Sequence, residues 1–337
     1  MSRLLTVSFF LLFASACATK TVSTTADGKT ISPQEATEDK TIQNLPAPTS
    51  SSDLDGSGET MQIPVEVNAE VEKWIEYFQG RGRGYFERYL ERSTRYVPVM
   101  KKVLKENGVP EDLIYIAMIE SGFTAKIKSR AKAVGFWQFI GGTGKHYGLR
   151  VNKLVDERYD PVRSTEAAAA YFKGLYNLFG SWYLAIASYN VGENRIKSMV
   201  MKNYTRDFWQ LAVRKQLPPE TTQYIPKFLA ARLISREPEK YGFTGLNYED
   251  PMSFDLITSA DPVDMRALAK AMKIDYVEIR DLNPAYKTQV APVMTNVATV
   301  RIPQGTLEAA KLVLNEAVVK NRQYMVAADD SGSSGSG

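Results

Sequence analysis

The hydrophobic positions of the chain follow a helical period from about residue 68 onward. Val71, Trp74, Ile75 and Phe78 fall at i, i+3, i+4 and i+7, which is the spacing of one face of a helix. The same spacing returns over residues 85–90. These repeats predict an amphipathic helical body with one buried stripe on each helix.

Local signals place several of the expected helix ends. Pro98 is expected to begin a helix in its first turn and Gly108 to end it. Ser164 is expected to cap a helix through residues 167–179, because serine side chains accept hydrogen bonds from the first turn. Pro226 is expected to lie in the first turn of a later helix or to kink it.

A carboxylate follows the most apolar of these helices. Pro110 precedes residues 113–119, which are apolar nearly all round and therefore predict a central buried helix that ends at Glu120. Burial disfavours the charged form of a carboxyl group and raises its pKa, as a general acid near neutral pH requires. The alternative is a glutamate that emerges into solvent where the helix ends.

The segment 129–138 has the composition of a ligand-binding loop. It combines small residues with Gly135, where the backbone could approach a ligand closely. Trp137 offers a flat apolar face, and the amide of Gln138 can donate and accept hydrogen bonds. Sugars bind through such a combination of stacking and polar edges, so this segment is a candidate glycan site.

The pattern changes after about residue 250. A strand is expected over 253–257, helical spacing follows over 261–272, and residues 297–302 alternate like a second strand. A last helix is expected over 307–319. This order indicates a small α+β module, so the fold class is mainly α with an α+β C-terminal part.

Composition excludes several chemistries. The 337 residues include one Cys and one His, with a formal net charge of +4. A disulfide framework and a His-cluster or all-Cys metal site are therefore excluded, and proton chemistry should depend on carboxylates, Tyr or Lys. No partner motif accompanies His146, which we assign to a surface or groove-side position. The mildly basic body suits an anionic partner or reflects ordinary solubility charge, and it is too weakly charged to indicate nucleic acid.

Residues 150–163 form a densely charged segment. Arginines and carboxylates alternate closely along it, a pattern typical of a salt-bridged face. The arginines are Arg150, Arg158 and Arg163, and the carboxylates are Asp156, Glu157 and Asp160.

The first 17 residues have the pattern of a secretory signal: Arg3, a short apolar run, and small residues before Cys17. They resemble a bacterial lipoprotein signal, in which cleavage occurs before the cysteine and the cysteine is lipidated, although Ala14 stands where Leu is usual. Ala18 rather than Asp follows, which by this resemblance implies an anchor at the periplasmic face of the outer membrane. The alternative is ordinary cleavage with Cys17 a bystander.

Residues 18–60 and the C-terminal residues 326–337 are expected to be disordered. The first of these segments carries seven acidic and three basic side chains and is rich in Thr, Ser and Pro. Such a composition buries too little apolar surface to fold. We therefore expect an N-terminal tether between the signal and the body, and a short tail at the end.

Five motifs in order resemble one family. They are IESGF (119–123), SRAKAVGFWQF (129–139), TGKHYGL (143–149), ASYNVGE (187–193) and ETTQYIPKFLA (220–230). Together they resemble the lysozyme-like lytic transglycosylases that cut bacterial peptidoglycan, densely over 70–245 and more loosely to about 320.

The resemblance implies a helical domain with a groove for the glycan strand. Glu120 then matches the catalytic acid and base of a non-hydrolytic cleavage that leaves a 1,6-anhydro sugar and requires no metal or cofactor. Lys132 departs from relatives that carry Gly. The implied substrate-binding positions are Ser121, Ser129, Gln138, Tyr189, Asn190 and Tyr224.

The expected organisation is a lysozyme-like domain over 61–248 and a module over 249–325. The module resembles a degenerate LysM domain without the usual Gly-Asp-Thr-Leu opening, so it either binds glycan or packs against the body. Glycan strands of peptidoglycan and the membrane, through a lipid, are the expected partners. Two other functions stay open: a hydrolytic muramidase of the same fold, and an inactive, anchored peptidoglycan-binding protein.

Overall fold

The computed structural model of the chain describes residues 62–326. The predicted signal with Cys17, the tether over 18–60 and residues 327–337 lie outside the described residues. None of the helices in the described range is long and apolar enough to cross a membrane.

The first part of the described chain is helical. Short 3₁₀ turns at Glu111–Leu113, Glu157–Tyr159 and Pro238–Tyr241 accompany its α-helices. The helices are α1 Ala69–Gln79, α2 Arg83–Glu106, α3 Ile114–Ser121, α4 Gly141–His146, α5 Pro161–Phe179, α6 Trp182–Val191, α7 Glu193–Asn203, α8 Phe208–Val213 and α9 Pro219–Arg236.

The C-terminal part alternates short strands and helices, which are β1 Phe254–Ser259, β2 Val263–Asp264, α10 Met265–Met272, α11 Tyr276–Leu282, β3 Val290–Ala291, β4 Val293–Met294, β5 Ala298–Pro303, α12 Leu307–Val313 and β6 Met325–Val326. Its longest pairing is antiparallel, between β1 and β5, with Phe254 opposite Pro303 and Ser259 opposite Ala298. Two shorter pairs are β2 with β3, antiparallel, and β4 with β6, parallel.

Each part has its own hydrophobic core. The larger core joins the helices from α1 to α9, and the smaller core lies between the β1–β5 pair and helices α10 to α12. Helix α3 is at the centre of the larger core, because α2 and α9 both pack against it. The predicted fold class, mainly α with a small α+β C-terminal part, is confirmed.

The first predicted helix forms as the periodicity indicated. Asn68 caps α1 by accepting hydrogen bonds from the backbone N–H groups of Glu70 and Val71. The stripe through Val71 and Phe78 faces the core. Here the local capping signal and the hydrophobic period agree.

The expectation that Pro98 begins a helix is wrong. Helix α2 continues through Pro98 and ends at Glu106, with Gly108 in the left-handed region just beyond it at φ 68°. Proline in a helix interior removes one hydrogen bond and costs about 3 kcal/mol. Buried side chains on both sides of it, Phe86 and Leu90 before and Leu104 after, fix the helix against that penalty.

Two further helix boundaries differ from the predictions. Helix α5 begins at Pro161 because Asp160, not Ser164, is its cap: one carboxylate oxygen accepts from the N–H groups of Val162 and Arg163, both at 2.9 Å. The last helix ends at Val313 rather than 319. A 3₁₀ turn follows it, after which the chain pairs with β2.

Candidate functional site

Glu120 leaves the buried core at the end of α3. The residues 114–119 and Ser121 are buried, whereas Glu120 is half-buried. The helix ends here because Gly122 adopts the left-handed conformation, at φ 54°. A Cβ at this glycine would lie 1.9 Å from the ring of Tyr89, so a larger side chain has no room. Helix end and close packing together fix where the carboxylate emerges.

Tyr224 of α9 holds the carboxylate of Glu120. Its phenolic O–H donates to Oε1 of Glu120 over 2.5 Å. Burial raises the pKa of Tyr224 well above the ordinary tyrosine value, and the charge of Glu120 raises it further. The phenol therefore stays protonated at neutral pH and remains a hydrogen-bond donor.

Lys227 lies one turn after Tyr224 on the same face of α9. Its Nζ donates to the backbone carbonyl of Ile119 over 3.2 Å and lies 5.7 Å from the ring centre of Trp74. Burial lowers the pKa of Lys227, while the charges of Glu120 and Glu220 act in the opposite direction. An amine donor is thus fixed beside the helix end that carries the carboxylate.

Tyr189 connects α6 to the loop before α4. Its O–H donates to the backbone carbonyl of Trp137 over 2.5 Å, and its ring stacks on Phe172 at 4.7 Å. Burial raises the pKa of Tyr189 well above its ordinary value, and the charge of Glu120 adds to this shift. Tyr189 therefore lies within electrostatic reach of the carboxylate while it anchors the loop.

Asn190, the next residue on α6, is half-buried and joins α6 to α9. Its Oδ1 accepts a hydrogen bond from the hydroxyl of Thr221 over 3.0 Å. Because Thr221 precedes Tyr224 by one helical turn, this bond fixes the first turn of α9 relative to the Tyr189–Asn190 pair.

Ser129 and Gln138 lie in the loop 129–139, which we call the sugar loop. The backbone N–H of Ser129 donates to the carbonyl of Ala133 over 2.8 Å, and the Oγ of Ser129 accepts from the N–H of Ala133 over 3.1 Å. Gln138 adopts a left-handed conformation at φ 48°, and its Nε2 donates to the carbonyl of Gly135 over 2.8 Å. Both side chains are half-buried.

Lys132 stands where the family resemblance implies glycine. It adopts φ 62°, a conformation in which glycine is free of strain and lysine is not. The side chain of Lys132 is exposed. Lysine in place of glycine therefore adds backbone strain to the turn but adds no bulk inside the loop.

Two expectations about the sugar loop are wrong. Trp137 offers no face to a sugar: it is 0% exposed, and its indole N–H donates to the hydroxyl of Thr165 over 2.9 Å. The close approach at Gly135 is to the protein's own backbone, because a Cβ there would lie 1.8 Å from the carbonyl oxygen of Arg158. Both residues therefore fix the loop by packing against the protein interior.

Ser121, the residue after Glu120, is buried and bonded within its own helix. It is 3% exposed, and its hydroxyl donates to the carbonyl of Ala117 in its own helix over 2.9 Å. His146 is exposed at the end of α4, edge-on to Tyr147. Within residues 62–326, no group of three or more His, Cys, Asp or Glu side chains is arranged to hold a metal ion.

The structure thus brings Glu120, Tyr224 and Tyr189 together, and the Tyr189–Trp137 bond connects them to the sugar loop. Lys227 belongs to the same cluster and was not among the predicted site residues. Its signal was present in the sequence, because Tyr224 and Lys227 are spaced i, i+3 on one helix.

Two family models match the chain in sequence order. One, described as the Transglycosylase SLT domain, matches residues 98–212. The other, described as the LysM-like domain of lytic transglycosylase MltD, matches residues 253–318. Residues 98–212 therefore match a transglycosylase SLT domain and residues 253–318 match a LysM-like domain, in agreement with the family resemblance.

Among individual proteins, the chain is similar to Membrane-bound lytic murein transglycosylase D of Escherichia coli strain K12. The two are 29% identical over 235 residues, which is 68% of this chain and 51% of that protein. Peptidoglycan transglycosylase gp16 of Escherichia phage T7 is 34% identical over 114 residues, 33% of this chain and 9% of that protein. The chain spans about half the length of the Escherichia coli relative.

Similar solved structures are also lytic transglycosylases. The soluble lytic transglycosylase SLT70 of Escherichia coli aligns with a TM-score of 0.40 and 19% identity, over 55% of this chain and 34% of that one. An inactive mutant of lytic transglycosylase Slt from Pseudomonas aeruginosa aligns with a TM-score of 0.35 and 21% identity, over 45% of this chain and 25% of that one.

Proposed function

We propose that the chain is a lytic transglycosylase that cleaves the β-1,4 bond between N-acetylmuramic acid and N-acetylglucosamine in peptidoglycan, for cell-wall remodelling. The observation that carries the proposal is the hydrogen bond from Tyr224 to Glu120 at the end of a buried helix. It holds one carboxylate in a fixed orientation within the SLT domain match.

In the proposed reaction, the protonated carboxyl of Glu120 donates its proton to the glycosidic oxygen. The bond from C1 of the muramic acid to that oxygen breaks through an oxocarbenium-like state. The C6 hydroxyl oxygen of the same sugar then bonds to C1, and its proton returns to the carboxylate. One carboxyl group performs both proton transfers, and the product is a 1,6-anhydro end.

The surrounding residues have supporting roles in this proposal. Tyr224 orients the carboxylate, and Ser129, Gln138 and Asn190 contact sugar groups in the groove. Tyr189 positions the sugar loop through the carbonyl of Trp137. Ser121 acts by packing, because its hydroxyl is bonded within its own helix.

Digestion of purified sacculi, with the products identified by mass spectrometry, tests the proposal. The expected result is anhydro-muramic ends that disappear in Glu120→Gln and persist in the control Glu111→Gln, which removes a carboxylate before the same helix. Products with reducing muramic acid ends alone indicate a hydrolytic muramidase. No release by the unmodified protein, with retained sacculus binding, indicates an inactive binding protein.

We also propose that the chain is a lipoprotein anchored through Cys17 to the periplasmic face of the outer membrane. Support comes from the N-terminal pattern and from the name of the Escherichia coli relative, which describes that protein as membrane-bound. In cell fractionation, Cys17→Ser should move the protein to the soluble periplasmic fraction, whereas Ser23→Ala should not. Retention of Cys17→Ser in the membrane fraction contradicts the anchor.

A further inference from the structure

The charged segment 150–160, here called the docking segment, lies between the sugar loop and the C-terminal module. On the module side, the N–H of Asp156 donates to the carbonyl of Ala285, and the N–H of Lys287 donates to the carbonyl of Leu154, both over 2.9 Å. The module is therefore joined to this segment through backbone hydrogen bonds.

An ion pair reinforces this junction. The guanidinium of Arg301, on β5, donates to both carboxylate oxygens of Asp160, and the two side chains are 12% and 7% exposed. Arg301 also lies over the ring of Phe254 at 4.9 Å. An ion pair with so little solvent exposure is weakly screened by salt. Loss of one partner leaves the charge of the other poorly solvated.

On its other face, the docking segment holds the sugar loop. The guanidinium of Arg158 donates to the carbonyl of Phe139 over 3.0 Å and to that of Lys132 over 3.3 Å. Asp156 fixes this guanidinium with bonds of 2.9 and 2.8 Å. The carbonyl of Arg158 also fills the space where a side chain at Gly135 would lie. One arginine thus bonds the loop at Lys132 and Phe139 and packs against it at Gly135.

The sugar loop needs such external support. Lys132 and Gln138 both adopt left-handed conformations, at φ 62° and 48°. Non-glycine residues keep such conformations only where the surrounding structure imposes them. The loop contributes Ser129 and Gln138 to the proposed groove, so its shape bears on sugar binding.

We propose that Arg158 and Arg301 are positioning residues through which the C-terminal module sets the shape of the sugar loop. The module fixes the docking segment, and the docking segment holds the loop. In this arrangement glycan cleavage depends on the module whether or not the module itself contacts glycan. Only the predicted effect on cleavage kinetics rests on the proposed function; the effect on the shape of the loop does not.

Arg301→Gln in the full chain tests the proposal, with Arg266→Gln as a matched control. Arg266 likewise lies over an aromatic ring of the module, Tyr276, but it is exposed. Hydrogen exchange followed by mass spectrometry should show amides of 129–139 exchanging about 10-fold faster in Arg301→Gln and unchanged in the control. With sacculi, KM should rise several-fold and kcat should change less than twofold.

Two milder variants keep the test decisive if Arg301→Gln folds poorly. Asp160→Asn retains the cap of α5 while it removes the charge, and it should give the same faster exchange. Arg301→Lys should restore part of the protection. Unchanged loop exchange in Arg301→Gln or, where that variant is unfolded, in Asp160→Asn overturns the proposal. Faster exchange in a chain that never releases anhydro sugars instead contradicts the proposed function and leaves the positioning intact.

Discussion

Tyr224 donates its phenolic hydrogen to Oε1 of Glu120 over 2.5 Å, across 104 positions of sequence. The bond joins the last turn of α3 to the second turn of α9, so the orientation of the carboxylate depends on packing between two helices. Lys227, one turn further along α9, bonds the carbonyl of Ile119 beside it. Helix α9 therefore supplies two polar contacts to the end of α3.

Tyr224→Phe should lower the rate of glycan release about 10- to 100-fold. A hydrogen bond to a charged group contributes about 1.5–3 kcal/mol, and each 1.4 kcal/mol is a factor of ten in rate. Initial rates on sacculi measure the effect. Tyr183→Phe is the control, because that hydroxyl donates to the carbonyl of Pro64. Equal rates for the two variants would show that the phenol of Tyr224 is not needed.

Gly122→Ala should destabilise the protein by about 2–4 kcal/mol. The new Cβ meets the ring of Tyr89 at 1.9 Å, and overpacking adds to the cost of a left-handed alanine. Chemical denaturation measures the free energy of unfolding. Gly148→Ala, at φ 83° with no atom within 4 Å of its Cβ, isolates the backbone cost at about 1 kcal/mol. Similar losses for both variants would refute the steric argument.

Trp137→Phe should reduce stability without weakening glycan binding. The indole is fully buried and bonded to Thr165, so the loss of that bond and of ring volume should cost about 1–3 kcal/mol. Sacculus binding, measured well below the melting temperature, should be unchanged. If binding fell while the free energy of unfolding stayed constant, a sugar contact by Trp137 would be indicated.

The folded protein should lose stability above about pH 10. Burial raises the pKa of Tyr171, Tyr189 and Tyr224 well above the ordinary value near 10. Above pH 10 the unfolded chain therefore loses protons that the folded chain retains, and the free energy of unfolding falls as pH rises. The lowered pKa of Lys227 changes the free energy of unfolding in the opposite direction, but it is one group against these three tyrosines.

Thermal melting between pH 8 and 11.5, combined with absorbance titration of the phenols, measures this dependence. The melting temperature should be flat to about pH 9.5 and then fall steeply, with the buried phenols ionising only as the protein unfolds. Phenols that all titrate near pH 10 in the folded state would contradict the burial argument.

The features that sequence predicted best were those that depend on local order. The period through Val71 and Phe78 gave α1, and the apolar run before Glu120 gave the central helix with its terminal carboxylate. Tyr224 and the Tyr189–Asn190 pair came from a family resemblance. In the structure the hydroxyl of Tyr224 donates to Glu120, and that of Tyr189 donates to the carbonyl of Trp137. Their roles in binding and cleavage stay predictions.

The failures at Pro98, Trp137 and Gly135 share a physical cause, which is contact between distant segments. Pro98 has the local signature of a helix start, but core packing on both sides keeps α2 continuous. Trp137 and Gly135 have the composition of a sugar site, yet their partners are Thr165 and Arg158. No spacing rule indicates which way a loop side chain turns, so these outcomes needed the structure.

The unbroken path of α2 through Pro98 has a consequence for dissecting the protein. The SLT match begins at residue 98, in the middle of a single helix whose earlier turns place Phe86 and Leu90 in the shared core. The segment that the family model matches is therefore shorter than the segment that folds around the shared core. Any exchange of this helical unit between proteins, by recombination or by cloning, has to carry the helices before residue 98 with it.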